Sequence, residues 1–154
     1  MKLSRTQYDA MVDLAQRALP HEACGLLAGE GDFVREVMPL TNVEHNPVGC
    51  GWRADSREQL RAFERIDDRG WELLAIFHSH LRSTAYPSER DVEHALYPDA
   101  RYVITSLADE GAPMVAAFRI VDGRVTQEAL TITEDLENGA SRSQSDATGE
   151  RGRP

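Results

Sequence analysis

The residues with the clearest capacity for chemistry are His78 and His80, which stand two apart where the apolar run Leu73 to Phe77 ends. On an extended segment, side chains two apart point to the same side, so the two imidazoles can bring a nitrogen each to one point. Asp91, on the next predicted element, can add a carboxylate. Two nitrogens and one oxygen leave the fourth tetrahedral position to water, the catalytic rather than the structural form of a zinc site. Zinc lowers the pKa of such a water from about 15.7 to about 7. A base is still needed to move protons. Glu22, between His21 and the apolar run Ala23 to Ala28, is the strongest candidate, on condition that the two runs lie side by side as strands.

Each of these residues also has a plainer reading. A single histidine after an apolar strand is usually a satisfied turn or core residue. Ser88-Glu89-Arg90-Asp91 is by itself a capping box, and an isolated Glu22 is an ordinary exposed carboxylate. Cap and ligand are compatible for Asp91, because a capped helix start holds the side chain in one orientation with an oxygen to spare. Cys24, inside an apolar strand, reads as inert packing rather than as a nucleophile, and Cys50 between two glycines as an exposed thiol. His94, one helical turn beyond Asp91, sits either behind that ligand or in solvent; His45 carries no chemical reading.

The elements that must position these groups follow from the pattern. Ser4-Arg5-Thr6-Gln7 is a capping box ahead of Tyr8, Met11, Val12, Ala15 and Leu19, which recur at helical spacing until Pro20. Ala23 to Ala28, closed by Gly29 and Gly31, pairs as a hairpin with Phe33 to Leu40. Thr41 to Gly51 is a loop and Trp52 to Ala54 a brief strand, after which Ser56-Arg57-Glu58-Gln59 offers a second capping box for a helix ending at Gly70. Leu73 to Phe77 has the unbroken apolar character of a strand buried on both faces. A loop over Leu81 to Pro87, a short helix from Ser88, a buried strand over Tyr102 to Leu107 and a hairpin turning at Asp122-Gly123 between Met114 to Val121 and Arg124 to Ile132 complete the pattern. The expected organisation is one domain over 1–133 and a disordered polar tail over 134–154, where little apolar surface offsets the entropy of ordering.

Composition narrows the partners. The 154 residues suit one soluble core, with 41% hydrophobic and 28% charged residues. The net charge of −9 repels nucleic acid and anionic lipid. Two cysteines make no disulfide framework, the start Met1-Lys2-Leu3-Ser4-Arg5 has no apolar core of a signal peptide, and no run approaches a membrane span, so the expectation is a cytoplasmic protein with no membrane partner.

Together, an upstream Glu, then His-x-His, seven residues, Ser, two residues and Asp resemble the signature of the JAMM/MPN+ metalloprotease family. It is filled by Glu22, His78-Ser79-His80, Leu81 to Pro87, Ser88, Glu89-Arg90 and Asp91. His21 to Gly29, Ala85 to Ser88, Pro98 to Ala100 and Phe118 to Gly123 are similar to the small Mec-type branch, whose members remove cysteine from the C-terminus of a ubiquitin-like sulfur-carrier protein. The resemblance implies an α/β fold, a single MPN domain with a mixed sheet flanked by helices and cytidine-deaminase-like layering. It implies His78, His80 and Asp91 as ligands of one zinc per chain, Glu22 as general base and acid, and Ser88 as a donor to the oxyanion. Leu81 stands where many members have proline, which bears on loop shape.

The implied substrate is a carrier ending in Gly-Gly, its extended tail able to lie along a sheet edge by strand addition. Trp52, Arg53 and Tyr86 are weak candidates for walls of its channel, with ordinary packing the plainer reading of the two aromatics. The rivals are a desampylase-like isopeptidase that releases a lysine side chain, trimming of carrier precursors, and a metal-free MPN scaffold that binds without catalysis. Exposed hairpin edges would permit a homodimer.

Overall fold

The computed structural model describes residues 1–46, 50–109 and 111–134. The first capping box forms as its residues require: Gln7 N donates to Ser4 Oγ (3.2 Å) and Ser4 N donates to Gln7 Oε1 (2.9 Å). Ser4 thus ends β1 (Lys2–Ser4) and starts α1 (Arg5–Ala18). The chain then folds into β2 (Cys24–Glu30), β3 (Phe33–Leu40), α2 (Ser56–Asp68), β4 (Glu72–His80), α3 (Glu89–Glu93), β5 (Arg101–Ser106), β6 (Met114–Val121), β7 (Arg124–Glu128) and β8 (Thr131–Thr133).

The strands form one mixed sheet in the order β7-β6-β5-β4-β2-β3-β1-β8. β4 is central, antiparallel to β2 and parallel to β5, as a strand with buried faces must be. Alternation along it separates two layers of core. Ala75 and Phe77 pack with Met11 of α1, and Ile76 packs with Ala62 and Ile66 of α2. Each helix therefore covers one face of the sheet. Phe77 is fully buried, and its truncation to alanine should cost roughly 3–5 kcal/mol. The β6–β7 turn has positive φ at Asp122 (51°) and Gly123 (73°), the type I′ geometry that matches strand twist.

Four local expectations are corrected. The second helix is capped by Asp55, whose carboxylate accepts from Arg57 N and Glu58 N, and Ser56 is already helical; the carboxylate reaches both free amides. Trp52 to Ala54 forms no strand and contributes only a bridge between Asn42 and Ala54. The last run divides into β7, paired with β6, and β8, which crosses to the other edge and runs parallel to β1. β4 also continues through His80, so both histidines lie within the strand. Of the tail over 134–154, all but Glu134 lies outside the described residues.

Candidate metal centre

The pairing of β2 with β4 lays the two apolar runs side by side, the arrangement that a base role for Glu22 requires. Cys24 is opposite His78, and one step further Ser79 holds Ala23 twice: Ser79 N donates to Ala23 O (3.0 Å) and Ala23 N donates to Ser79 Oγ (2.8 Å). Ser79 points away from its neighbours His78 and His80 by strand alternation, so the serine between the two histidines ties the segment next to Glu22 to their strand. Glu22, adjacent to this tie, is 8% exposed.

Three side chains converge. Among the described residues, His78, His80 and Asp91 form a group whose ligand atoms all lie within 4.8 Å of one another. His78 Nε2 is 3.1 Å from His80 Nε2 and 3.1 Å from Asp91 Oδ1, while His80 Nε2 is 3.2 Å from Asp91 Oδ2. Ligands about 2.0–2.1 Å from a tetrahedral zinc stand roughly 3.3 Å apart, so two buried imidazole nitrogens, each facing one oxygen of the same carboxylate at these separations, fit one such cation. The donor set therefore suits zinc, with room in the tetrahedron for one further ligand.

Asp91 owes its orientation to the capping box of α3. Ser88 N and Ser88 Oγ both donate to Asp91 Oδ2 (2.7 Å each), and Asp91 N donates to Ser88 Oγ (3.2 Å). The cap and the candidate ligand are thus one structure. The serine hydroxyl has one proton, and in this arrangement Asp91 receives it. On the other side, His80 Nδ1 is 2.9 Å from Thr84 O, which fixes Nδ1 as the donor and leaves Nε2 with its lone pair toward the group.

Electrostatics follow from burial and proximity. Burial pushes Glu22 up to about 7, against the opposing pull of His80 and of the Gly51 amide bonded to its carboxylate. For Asp91, burial acts upward, yet the neighbouring His78 and His80 rings and the hydrogen bond from Ser88 hold its carboxyl well below the usual carboxylate range. Burial lowers His78; in His80 the same desolvation is outweighed by Asp91 and the Thr84 carbonyl, and the net shift is upward.

The remaining sequence candidates separate. Trp52 is half-buried and stacks on His78, ring centroids 5.4 Å apart and planes 25° from parallel. Arg53 is exposed, and its guanidinium donates to Val43 O (3.4 Å). Tyr86 lies edge-on against Phe118 of β6 (5.3 Å). His94 caps α3 with Nδ1 2.8 Å from Arg90 O, and burial pushes the Cys24 thiol up to about 12, far from a thiolate nucleophile. Sequence reasoning missed Asn42. Its Nδ2 donates to Glu22 O (2.9 Å) and Gly51 O (3.2 Å), and its Oδ1 accepts from Glu44 N (2.9 Å) and Arg53 N (3.0 Å). An asparagine among loop residues carries no local mark of such a role.

The family model for prokaryotic homologs of the JAB domain matches residues 4–121. The chain belongs to this JAB family. Its match to the CysO-cysteine peptidase of Mycobacterium tuberculosis is 43% identical over 128 residues, 82% of this chain and 86% of the relative. A Thermus thermophilus relative, described as a probable TtuB-protein conjugate cleaving protease, is 37% identical over 108 residues, 70% of this chain and 68% of that one. The solution structure of a Desulfitobacterium hafniense protein superposes with a TM-score of 0.80 at 37% identity, covering 90% of this chain and 96% of that one. The JAB domain described above is thus that of a JAMM-type hydrolase, with the expected mixed sheet between helices.

Proposed function

We propose that this JAB domain, comprising residues 1–133, is a zinc peptidase that cleaves the bond after the C-terminal Gly-Gly of a ubiquitin-like sulfur-carrier protein and releases cysteine. One observation carries the reading: a chain aligned over 86% of a CysO-cysteine peptidase also brings His78, His80 and Asp91 within reach of one cation. These three residues would hold one zinc, which when bound supplies a Lewis acid for the scissile carbonyl and lowers the pKa of water.

The chain's own residues account for the proton movements. Glu22 takes a proton from the attacking water and delivers it to the departing amine, and a carboxyl held near 7 exchanges protons readily at neutral pH. Ser88, once its hydroxyl turns from Asp91, donates to the oxyanion formed at the carbonyl. Thr84 holds His80 through its carbonyl, and Asn42 holds the backbone of Glu22. No covalent enzyme intermediate is needed.

The conjugate-cleaving relative from Thermus thermophilus favours a second reading, in which the leaving amine is a lysine side chain. Intact-mass assay of the zinc-loaded protein decides between them. The substrates are a Gly-Gly-ending ubiquitin-like carrier extended by cysteine and the same carrier joined to a lysine side chain, with a chelated sample and Glu22→Ala as blanks. Preferential release of cysteine supports sulfur transfer. Equal or faster release of lysine makes the protein a deconjugating isopeptidase, and cleavage of neither by the loaded protein overturns the substrate class.

A further inference from the structure

The two histidines of the site are held by different means. His80 has the usual arrangement for a metal-ligating histidine, its far nitrogen bonded to a carbonyl, here that of Thr84 at 2.9 Å. His78 Nδ1, although buried, has no hydrogen-bond partner among the described residues. What meets the His78 ring instead is the indole of Trp52, stacked at 5.4 Å and 25°.

Resting on the metal reading above, we propose that Trp52 is a positioning residue that sets the plane of the His78 ring for ligation, in place of the hydrogen bond that His78 lacks. Stacking restricts the tilt of a ring but leaves open which edge faces forward. That second choice falls to Asp91, whose Oδ1 lies 3.1 Å from His78 Nε2. Plane and edge are thus specified by two different neighbours.

Trp52 can orient another ring because its own backbone is held on both sides. Asn42 accepts from Arg53 N and donates to Gly51 O, the two residues flanking Trp52, and donates again to Glu22 O. Gly51 has φ +90°, a conformation that suits glycine, and a Cβ there would come within 2.8 Å of the Arg90 guanidinium. The loop is further held by Arg90, whose Nη2 donates to Glu44 Oε2 (3.1 Å). One asparagine side chain therefore links the segment carrying the proposed base to the segment carrying the aromatic face.

The test compares Trp52→Phe with Trp52→Leu in the full chain, reading zinc affinity by competition with a chelator and the melting temperature of the metal-free form. Phenylalanine keeps a flat face; leucine keeps apolar bulk without one. The expected result is zinc binding weakened about 10- to 100-fold in Trp52→Leu, the usual size of effect when support of a ligand is lost, with Trp52→Phe retaining most of the parent's affinity. Should the leucine chain fail to fold, Trp52→Met takes its place. Leucine and phenylalanine variants with equal affinities, whether unchanged or equally weakened, would overturn the proposal while leaving the metal site intact. A parent chain that binds no zinc would overturn the metal reading and this inference together.

Discussion

Cys24 stands directly across from His78 in the antiparallel pairing of β2 and β4. Directly opposed residues share a face of the sheet, and residues two apart on one strand share it as well. The register thus sets the end of β2 that leads to Glu22 against the end of β4 that carries the two histidines. The thiol at this position is a packed, protonated side chain, with the candidate base two residues before it and the candidate ligands on the strand opposite.

Glu22→Gln should keep zinc and lose turnover by about 100- to 10,000-fold, the usual contribution of a positioned acid–base group. Zinc content by elemental analysis and the rate on the cysteine-extended carrier measure both halves. A variant depleted of zinc would mean that Glu22 is a ligand.

Each of His78→Ala, His80→Ala and Asp91→Ala should purify with far less zinc than the parent, because each removes one of three converging donor atoms. Removing the Asp91 carboxylate also takes away half of the α3 capping box, which adds roughly 1 kcal/mol of lost stability. Full zinc occupancy in any of the three would displace that residue from the ligand set.

Ser88→Ala separates two roles of one hydroxyl. As an oxyanion donor, Ser88 contributes about 100- to 1000-fold in rate, and its loss should slow catalysis by that factor with the metal retained. A rate close to the parent's, accompanied only by a lower melting temperature, would leave Ser88 as the cap of α3 and the partner of Asp91.

The pH dependence of the chelator-treated protein has a definite sign. Glu22 has a folded pKa of about 7 against an ordinary value of 4.5, so the folded state binds its proton more tightly than the unfolded state does. Its contribution to stability is complete below 4.5 and is lost as pH rises through 7. Glu22→Gln cannot ionise, so in urea denaturation the parent should lose stability relative to the variant between those values. Asp91 behaves in the opposite way: its folded pKa is lowered, so its contribution is present throughout this window and is lost only on acidification below the usual carboxylate range. A constant difference between the two chains from pH 4.5 to 8 would show that the Glu22 carboxylate is not desolvated.

Much of the site was legible from local order. The capping boxes at Ser4 and Ser88, the Asp122-Gly123 turn, the buried run before His78 and the two-residue spacing of the histidines each depend on neighbours a few positions away. Such features are properties of a short stretch of backbone, so the amino-acid order determines them by itself. Even there, competition between adjacent caps was invisible: Asp55 and Ser56 are both good caps, and only the position of the helix start in the fold selected Asp55.

The tertiary structure decided what depends on distant segments meeting. The parallel pairing of β8 with β1, which divides the last run after Glu128, follows from which sheet edge the chain can reach. Asn42 acquires its role because Glu22, Gly51 and Arg53 surround it, and Trp52 because its loop folds over His78. Loop residues have no periodicity to reveal their partners, and their contacts are chosen by packing after the sheet is assembled. The residue types and spacing of the sequence therefore carried the candidate donor set, the candidate base and the cap that orients Asp91, whereas the supports of Glu22 and His78 were set by the fold.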